Sequence, residues 1–400
     1  MPLRQSVRPW LALLFAIPAA FLATWIVIPA PNETLLPLGV GAPEVSAWFI
    51  VLGVLSMSVA AVDLRRRWLS RVAFGLAVVA VGLSAIPFVR FREVANAADH
   101  ALRMALGGEQ MDKLAASHGG IWRPNPLVVR DLFRAPQTLA APIRVSHGLR
   151  VAVVADDTLT VDIYRPSAKG PFPVLVQIYG GAWQHGVPGN NAEFAEYIAA
   201  QGYVVFAIDY RHAPQFRFPA QVDDVRNALA WIGRNADAWS ADTSRMVLIG
   251  RSAGAHLAMM AAYATDAPRI RGVIDYYGPV DLVEGYRQPP VPDPLAVRDI
   301  EEKFLGGPPS AMIDRYHAAS PISLATRRLP PTLLIYGGRD HIVEPRFGAL
   351  LAGRLRADGT TVVHVEIPWA EHAFDAVPYG PSGQLARYVS ERFLAWATAK

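Results

Sequence analysis

Between residue 143 and the C-terminus, short runs rich in β-branched and aromatic residues alternate with stretches that have helical spacing. Strands joined by helices form a mostly parallel sheet that carries helices on both of its faces. We therefore predict an α/β fold for residues 143–400. The predicted strands span residues 149–154, 158–164, 174–179, 203–208, 246–249, 272–277, 332–336 and 362–367, and the predicted helices span residues 193–201, 221–235, 253–264, 345–357 and 384–398.

Three long segments without a charged side chain precede this region. Each is long enough to cross the hydrocarbon core of a bilayer. Residues 1–92 are therefore predicted to be a membrane region with three transmembrane helices, and the alternative for the first segment alone is a cleaved signal peptide. The segments are residues 10–28, 45–62 and 72–89. The indole rings near their ends, where the headgroup region favours them, are Trp10, Trp25, Trp48 and Trp68.

The basic residues of the N-terminal region predict its orientation. Arg4 and Arg8 precede the first segment, and four arginines lie in the second loop, residues 63–71. The first loop, residues 29–44, has no lysine or arginine. Because basic loops stay in the cytoplasm, we expect the second loop on the cytoplasmic side and the chain after residue 89 on the extracytoplasmic side.

The net charge of +4 arises entirely in this N-terminal region. Residues 1–95 hold eight basic and four acidic side chains, and the rest of the chain holds 30 of each. The positive excess therefore reflects membrane topology, and no basic stripe with interleaved aromatic residues indicates a nucleic-acid partner. The chain has no cysteine, which excludes disulfides, thiol catalysis and thiolate metal sites.

Two segments interrupt the pattern of strands and helices. Residues 93–106 have helical spacing and predict either a stalk or a helix that lies against the α/β domain, and we interpret residues 93–142 as a linker or stalk between the two regions. Residues 283–320 contain six prolines around a short helical patch. This second segment predicts either a cap over the sheet edge or a long surface loop.

A serine lies between two glycines where a predicted strand passes into a predicted helix. The sequence there is Gly250-Arg251-Ser252-Ala253-Gly254. Small residues allow the strained turn that exposes a serine hydroxyl, and the following helix directs its first amide groups and its positive dipole end towards that hydroxyl. The pattern also recurs by chance in glycine-rich loops, so its interpretation as a nucleophile depends on partners elsewhere in the chain.

Such partners follow two later strands. A serine hydroxyl needs an imidazole to take its proton, and the imidazole needs a carboxylate to fix its tautomer. Asp340 follows the strand predicted at residues 332–336, and His372 follows the strand predicted at residues 362–367. Catalytic groups of open parallel sheets gather at this edge. We therefore predict Ser252, Asp340 and His372 as a catalytic triad.

Three nearby residues compete for these roles. Glu371 and Asp375 are alternative carboxylates, but they are too close to His372 in sequence to come from a separate strand loop. His341 is an alternative base, but it adjoins Asp340. We therefore prefer Asp340 as the acid and His372 as the base.

Small residues also follow the strand predicted at residues 174–179. Gly180, Gly181 and Ala182 allow backbone N–H groups to approach a carbonyl oxygen, and the turn at residues 250–254, which we call the elbow, adds the N–H of Ala253. We predict that these four residues form an oxyanion hole.

Residues 145–400 resemble the α/β-hydrolase-fold esterases of the hormone-sensitive-lipase and carboxylesterase-like group, including their BD-FAE-type relatives. The resemblance implies oxyanion amides from Gly181 and Ala182. Two residues depart from the family pattern, since Tyr179 replaces a histidine and Arg251 replaces an aspartate common in the lipase-like branch. The motifs that carry the resemblance are residues 179–183 (YGGAW), 209–211 (DYR), 218–220 (FPA), 223–224 (DD), 250–258 (GRSAGAHLA) and 319–321 (ASP), followed by Asp340 and His372.

The remaining polar residues of these motifs are interpreted as structural. Asp209, Asp223 and Asp224 are expected to brace the loop after residue 179. His212 and His256 are expected to hold the scaffold.

These features together predict a membrane-anchored serine hydrolase on the extracytoplasmic side that cleaves carboxylic esters through an acyl-enzyme on Ser252. We expect an α/β-hydrolase fold, a small-molecule or lipid ester as substrate, short- to medium-chain acyl groups, and no metal or organic cofactor. The same acyl-enzyme also serves an acyltransferase or a peptidase. The remaining alternative is a non-catalytic membrane protein with a binding domain.

Overall fold

The computed structural model describes residues 3–117, 122–134, 140–154 and 157–399. Parts of the predicted linker, residues 118–121 and 135–139, lie outside the described residues. Within the described chain, eight strands form one sheet in the order β1-β2-β4-β3-β5-β6-β7-β8. The strands are β1 (Ile143–Val154), β2 (Asp157–Pro166), β3 (Phe172–Ile178), β4 (Val204–Ile208), β5 (Ala241–Arg251), β6 (Gly272–Tyr276), β7 (Thr332–Gly337) and β8 (Val362–Ile367).

The sheet is parallel except at one edge. β1 pairs antiparallel with β2, and β2 pairs antiparallel with β4, whereas the strands from β4 to β8 run parallel. Every residue of β4, β6 and β7 is buried, so helices cover both faces of the sheet. The predicted α/β architecture is confirmed.

Nine helices follow β3 in the described chain. Helix α9 packs on β5 and β6, α14 packs on β7 and β8, and α15 packs across β5, β6 and β7. Their bounds are α7 (Ala192–Ala199), α8 (Ala220–Asn235), α9 (Ala253–Tyr263), α10 (Leu282–Arg287), α11 (Val297–Leu305), α12 (Pro309–Ala318), α13 (Pro321–Leu324), α14 (Arg346–Ala357) and α15 (Pro381–Ala397), and short 3₁₀ turns span Val129–Leu132, Ala236–Trp239 and Phe374–Ala376.

The N-terminal region is a helical bundle in which α1, α3 and α4 pack against one another. Alanines allow the close approach, since Ala12, Ala16, Ala73 and Ala77 are fully buried between the helices. The helices of this region are α1 (Leu3–Thr24), α2 (Leu36–Glu44), α3 (Ser46–Ala61), α4 (Trp68–Ser84), α5 (Ile86–Leu106) and α6 (Gly108–Ser117).

The prediction of three transmembrane helices is confirmed only as the presence of two to three apolar helices long enough to span a membrane. Among the described residues, α1 and the 39-residue stretch formed by α4 and α5 are long and apolar enough to cross a membrane. Helices α2 and α3 meet this criterion only as one bent pair with an angle of 74° between them. The N-terminal region therefore contains two to three apolar helices of spanning length.

Of the two alternatives for residues 93–106, the structure has the helix that lies against the α/β domain and not the stalk. Helix α5 packs against β8 and α15 and does not stand apart from the α/β domain. Its apolar stripe, which includes Val94, Ala98 and Leu102, is buried in the same core as the sheet. An amphipathic helix gains more from burying such a stripe than from remaining exposed.

Candidate active site

Ser252 occupies the turn between β5 and α9. Its backbone has φ 53° and ψ −123°, which is a strained conformation for a residue with a side chain. The flanking glycines are required by space, because a Cβ on Gly250 would lie 2.2 Å from the carbonyl oxygen of Gly254. A Cβ on Gly254 would lie 2.3 Å from the carbonyl oxygens of Ile178 and Tyr179. The tight packing of these residues fixes the position of the Ser252 hydroxyl.

The three residues predicted as a triad lie in one hydrogen-bonded row. Ser252 Oγ is 3.0 Å from His372 Nε2, and His372 Nδ1 is 2.7 Å from Asp340 Oδ2. The other oxygen of Asp340 accepts the N–H groups of Ile342 and Val343 at 2.8 Å each. Because these bonds hold the carboxylate, its free oxygen faces the imidazole. This geometry allows His372 to take a proton from Ser252.

The pKa of His372 predicts the acid limit of activity. Burial alone lowers this pKa, but the charge of Asp340 and its hydrogen bond outweigh burial and raise the pKa above the ordinary value of 6.5. Only the neutral imidazole accepts the proton of Ser252, so activity is lost as the pH falls through the raised pKa. We expect the acid limb of a kcat/KM profile, measured with a neutral ester, to have its midpoint above 6.5. A midpoint below this value contradicts the arrangement.

Glu371 and His341 form a separate pair beside the triad. Glu371 Oε2 is 2.6 Å from His341 Nδ1, and its Oε1 accepts the N–H groups of His341 and His372 at 2.7 and 3.0 Å. The Glu371 carboxylate raises the pKa of His341. These contacts link the loops that carry Asp340 and His372. They also pair Glu371 and His341, the alternative acid and base, with each other and not with Ser252.

Asp375 pairs instead with the elbow. Its carboxylate accepts hydrogen bonds from the Arg251 guanidinium and from the Tyr277 hydroxyl. The Tyr277 ring packs against His372 with ring centroids 4.5 Å apart. The arginine that departs from the family pattern therefore ties the elbow to the loop that carries His372.

The predicted oxyanion residues line the space above Ser252. Gly180, Gly181, Ala182 and Ala253 share one cavity with the serine and His372. Ala182 has a φ of 54°, which turns the backbone of this loop. No described residue accepts a hydrogen bond from the N–H group of any of the four. These amides are therefore available to a bound oxygen.

The oxyanion loop is braced through Tyr179. Its hydroxyl donates to Asp209 at 2.6 Å and lies 3.0 Å from His212 Nε2. Asp224 accepts two hydrogen bonds from Arg211 at 2.8 Å each, which fixes the next turn. Asp223 was expected to brace the same loop, but its side chain is exposed and forms no hydrogen bond with a described residue.

His256 supports the loop from below. Its Nδ1 accepts the indole N–H of Trp183 at 3.2 Å, and its Nε2–H donates to the carbonyl of Ala319 at 2.6 Å. Burial lowers the pKa of His256 to about 4, so the ring is neutral and makes both bonds. The Trp183 ring stacks on Phe304 with centroids 4.2 Å apart.

Residues from three parts of the chain enclose a cavity of about 510 Å³ over Ser252. Residues 283–320 contribute parts of the helices α10 and α11, and Gly285 of α10 and Val297 and Ile300 of α11 line the cavity. Glu33 and Leu36 of the N-terminal region form another part of its wall. Sequence reasoning missed these two residues, because nothing in the pattern of an apolar segment shows that its end reaches a site more than 200 residues away. Among the described residues, no cluster of His, Asp and Glu has the arrangement of a metal site.

Comparison with known proteins identifies the family. The BD-FAE family matches residues 161–355. The carboxylesterase NlhH of Mycobacterium tuberculosis is 30% identical over 258 residues, which cover 60% of this chain and 79% of NlhH. The chain belongs to the α/β-hydrolase carboxylesterases of the hormone-sensitive-lipase-like group.

Further relatives of this carboxylesterase occur in Mycobacterium tuberculosis. Esterase LipC is 31% identical over 267 residues, which cover 62% of this chain and 64% of LipC, slightly less than two thirds of that protein. The probable carboxylic ester hydrolase LipM is 27% identical over 389 residues, which cover 89% of this chain and 87% of LipM. The match to LipM therefore extends beyond the α/β domain.

A solved structure shows the same fold. A bacterial heroin esterase superposes with a TM-score of 0.57 at 24% identity, over 66% of this chain and 87% of that protein. The predicted α/β-hydrolase fold is confirmed.

Proposed function

We propose that this carboxylesterase cleaves carboxylic esters through an acyl-enzyme on Ser252. The observation that carries the proposal is the row from Ser252 Oγ through His372 to Asp340, with separations of 3.0 and 2.7 Å. The free amides above the serine support it, because a nucleophile without oxyanion donors would not stabilise a tetrahedral intermediate.

In this mechanism His372 Nε2 takes the proton of Ser252 as Oγ attacks the ester carbonyl. The carbonyl oxygen becomes an oxyanion and accepts hydrogen bonds from the amides of Gly181, Ala182 and Ala253. Each such donor contributes about 3 kcal/mol to lowering the barrier. His372 then gives its proton to the leaving alcohol, and water releases the acyl group by the same steps in reverse order.

The acyl group is proposed to be short to medium in length. The cavity of about 510 Å³ lies in the lower half of the range typical of small-molecule sites. We expect the purified protein to hydrolyse p-nitrophenyl esters best between acetate and octanoate and more slowly at dodecanoate. Acid quenching during turnover of the butanoate ester should trap one butyryl group on the peptide that contains Ser252, as measured by mass spectrometry. A folded protein that hydrolyses none of the esters contradicts the proposal.

We further propose that residues 1–92 anchor the enzyme with three spans and place the α/β domain on the extracytoplasmic side. The bundle has apolar side chains on its outside and alanines at its centre, which is typical of helices packed in lipid. Residues such as Leu14, Phe21 and Val79 are 65%, 56% and 50% exposed. A surface of this kind in water would be an aggregation site.

The absence of cysteine from the chain makes the topology directly measurable. We expect a membrane-impermeant maleimide to label Thr34→Cys and Asp237→Cys on intact cells. Arg66→Cys should be labelled only after lysis, because its loop carries the basic residues that remain in the cytoplasm. All three positions are exposed, so differences in labelling report sidedness. Labelling of Arg66→Cys on intact cells with protection of Asp237→Cys would reverse the orientation.

A further inference from the structure

One acidic side chain in the wall of the catalytic cavity has no partner. Glu301 of α11 lines the cavity and is only 3% exposed. No described residue forms a hydrogen bond or an ion pair with its carboxylate, and its Oε2 is fully enclosed. Buried polar groups in proteins are almost always paired. The missing partner of Glu301 therefore needs an explanation.

The other acids of the same helix are satisfied. Glu302 accepts the hydroxyl of Tyr286 at 2.6 Å, and Asp299 forms an ion pair with Lys303 at 2.6 Å. Asp299 lines the same cavity as Glu301, but Asp299 is paired and Glu301 has no partner among the described residues.

The surroundings of Glu301 are negative. Asp281 accepts the N–H of Glu284, and both oxygens of Asp293 accept the N–H of Val297, so both aspartates act as acceptors and neither is a hydrogen-bond partner of Glu301. Burial raises the pKa of Glu301 well above its usual range, and the charges of Asp281 and Asp293 raise it further.

The basic side chains nearby are engaged elsewhere. Arg298 donates to the carbonyls of Tyr286 and Arg287 at 2.9 and 3.3 Å. Arg346 pairs with Glu284 and Glu344 at 3.1 and 2.7 Å. Lys303 lines the same cavity and pairs with Asp299 at 2.6 Å. The described residues therefore offer no cation to Glu301, whereas Asp299 has Lys303 and Glu302 has the Tyr286 hydroxyl as a partner.

Space is kept beside the second carboxylate oxygen. A Cβ on Gly285 would lie 3.0 Å from Glu301 Oε1, and Gly285 lines the same cavity. Asp281 and Glu33 also line it. The basic lining residues Lys303 and Arg251 are paired with Asp299 and Asp375. A group that enters from Ser252 towards α11 therefore meets an unpaired buried carboxyl group with further acidic residues around it.

We propose that Glu301 binds a positively charged nitrogen of the substrate, so that the preferred substrates are esters that carry an ammonium group. The proposal rests on ester hydrolysis at Ser252. Because its pKa is raised, Glu301 would release its proton to solvent as the cationic group binds. The N–H of that group would then donate a hydrogen bond to the Glu301 carboxylate, and Asp281 and Glu33 would add long-range attraction.

Matched pairs of esters test the proposal for either end of the substrate. Protonated 2-(dimethylamino)ethyl butanoate and its neutral isostere 3-methylbutyl butanoate place the charge, with one N–H donor, in the alcohol. Protonated ethyl 4-(dimethylamino)butanoate and ethyl 5-methylhexanoate place it in the acyl group. We expect the cationic ester of one pair to have a kcat/KM about 10- to 100-fold higher, the range for one contact with a charged group, with most of the difference in KM.

Glu301→Gln should bring the ratio of kcat/KM between the cationic and the neutral ester close to one, because the amide keeps the shape of the side chain and cannot become negatively charged. Glu302→Gln is the matched control, since it removes the adjacent charge outside the cavity and should leave the ratio unchanged. The ratio of kcat/KM between the cationic and the neutral ester is measured first on the wild-type protein. This measurement tests the proposal even if a variant fails to fold.

Two results would overturn the inference. In the first, the neutral esters are hydrolysed in a Ser252-dependent way but neither pair shows a cationic preference. In the second, Glu301→Gln keeps the preference of the wild type. Absence of hydrolysis of all four esters and of p-nitrophenyl butanoate would instead overturn the proposed function, and hydrolysis of p-nitrophenyl butanoate alone would overturn only this substrate class.

Discussion

Ser252→Ala should lower kcat/KM for p-nitrophenyl butanoate by roughly a million-fold, the scale on which serine hydrolases lose activity when their nucleophile is removed. The variant retains the oxyanion amides and the cavity, so a residual acceleration of about a thousand-fold over water is expected. The acyl-enzyme cannot form, and the butyryl adduct should therefore be absent from the mass spectrum.

The matched control for this variant is Ser244→Ala. Ser244 is exposed at the beginning of β5 and donates to Asp242 at 2.6 Å, far from the cavity. It should keep wild-type activity. Both variants should unfold at the temperature of the wild type within a few degrees. If Ser252→Ala kept a tenth of the activity, another residue would have to be the nucleophile.

Asp340→Asn should lower kcat by about ten-thousand-fold, which is the loss measured for the same change in a chymotrypsin-type triad. The N–H groups of Ile342 and Val343 hold one oxygen of Asp340, and they will hold the amide oxygen of asparagine in the same place. The amide NH₂ then faces His372 Nδ1. The imidazole must accept there, which puts its proton on Nε2 and prevents it from taking the proton of Ser252.

Glu371→Gln is the comparison that separates the two carboxylates. Glu371 contacts the backbone of His372 and the ring of His341, but not the ring of His372. We expect its loss to reduce kcat far less than Asp340→Asn does. Equal losses in the two variants would contradict the assignment of Asp340 as the acid that orients the base.

The sequence predicts those residues of the candidate site that directly follow a strand. Ser252, Asp340 and His372 each follow a short apolar run that forms a buried strand, and parallel strands bring such ends to one edge. The oxyanion loop was predictable for the same reason, since Gly180 follows β3.

Other parts of the structure depend on contacts between distant segments. The role of Arg251 depends on Asp375 and Tyr277, and no local pattern connects these three residues. The packing of α5 left a signal in the sequence, because Val94, Ala98 and Leu102 have the spacing of a buried stripe. A short amphipathic stretch after an apolar segment nevertheless does not indicate which surface it covers.

The N-terminal bundle contacts the loops that carry the catalytic residues, so the bundle is part of the catalytic structure. Arg339, next to Asp340, donates to the carbonyl of Val27 at 2.6 Å, and Glu44 accepts the N–H of Ser382 at 2.9 Å. A soluble fragment cut after residue 92 would lose these supports together with the wall formed by Glu33 and Leu36. Selection for a new substrate can therefore act on residues of the bundle as well as on the α/β domain, and kinetics measured on such a fragment would describe a wider and less ordered cavity.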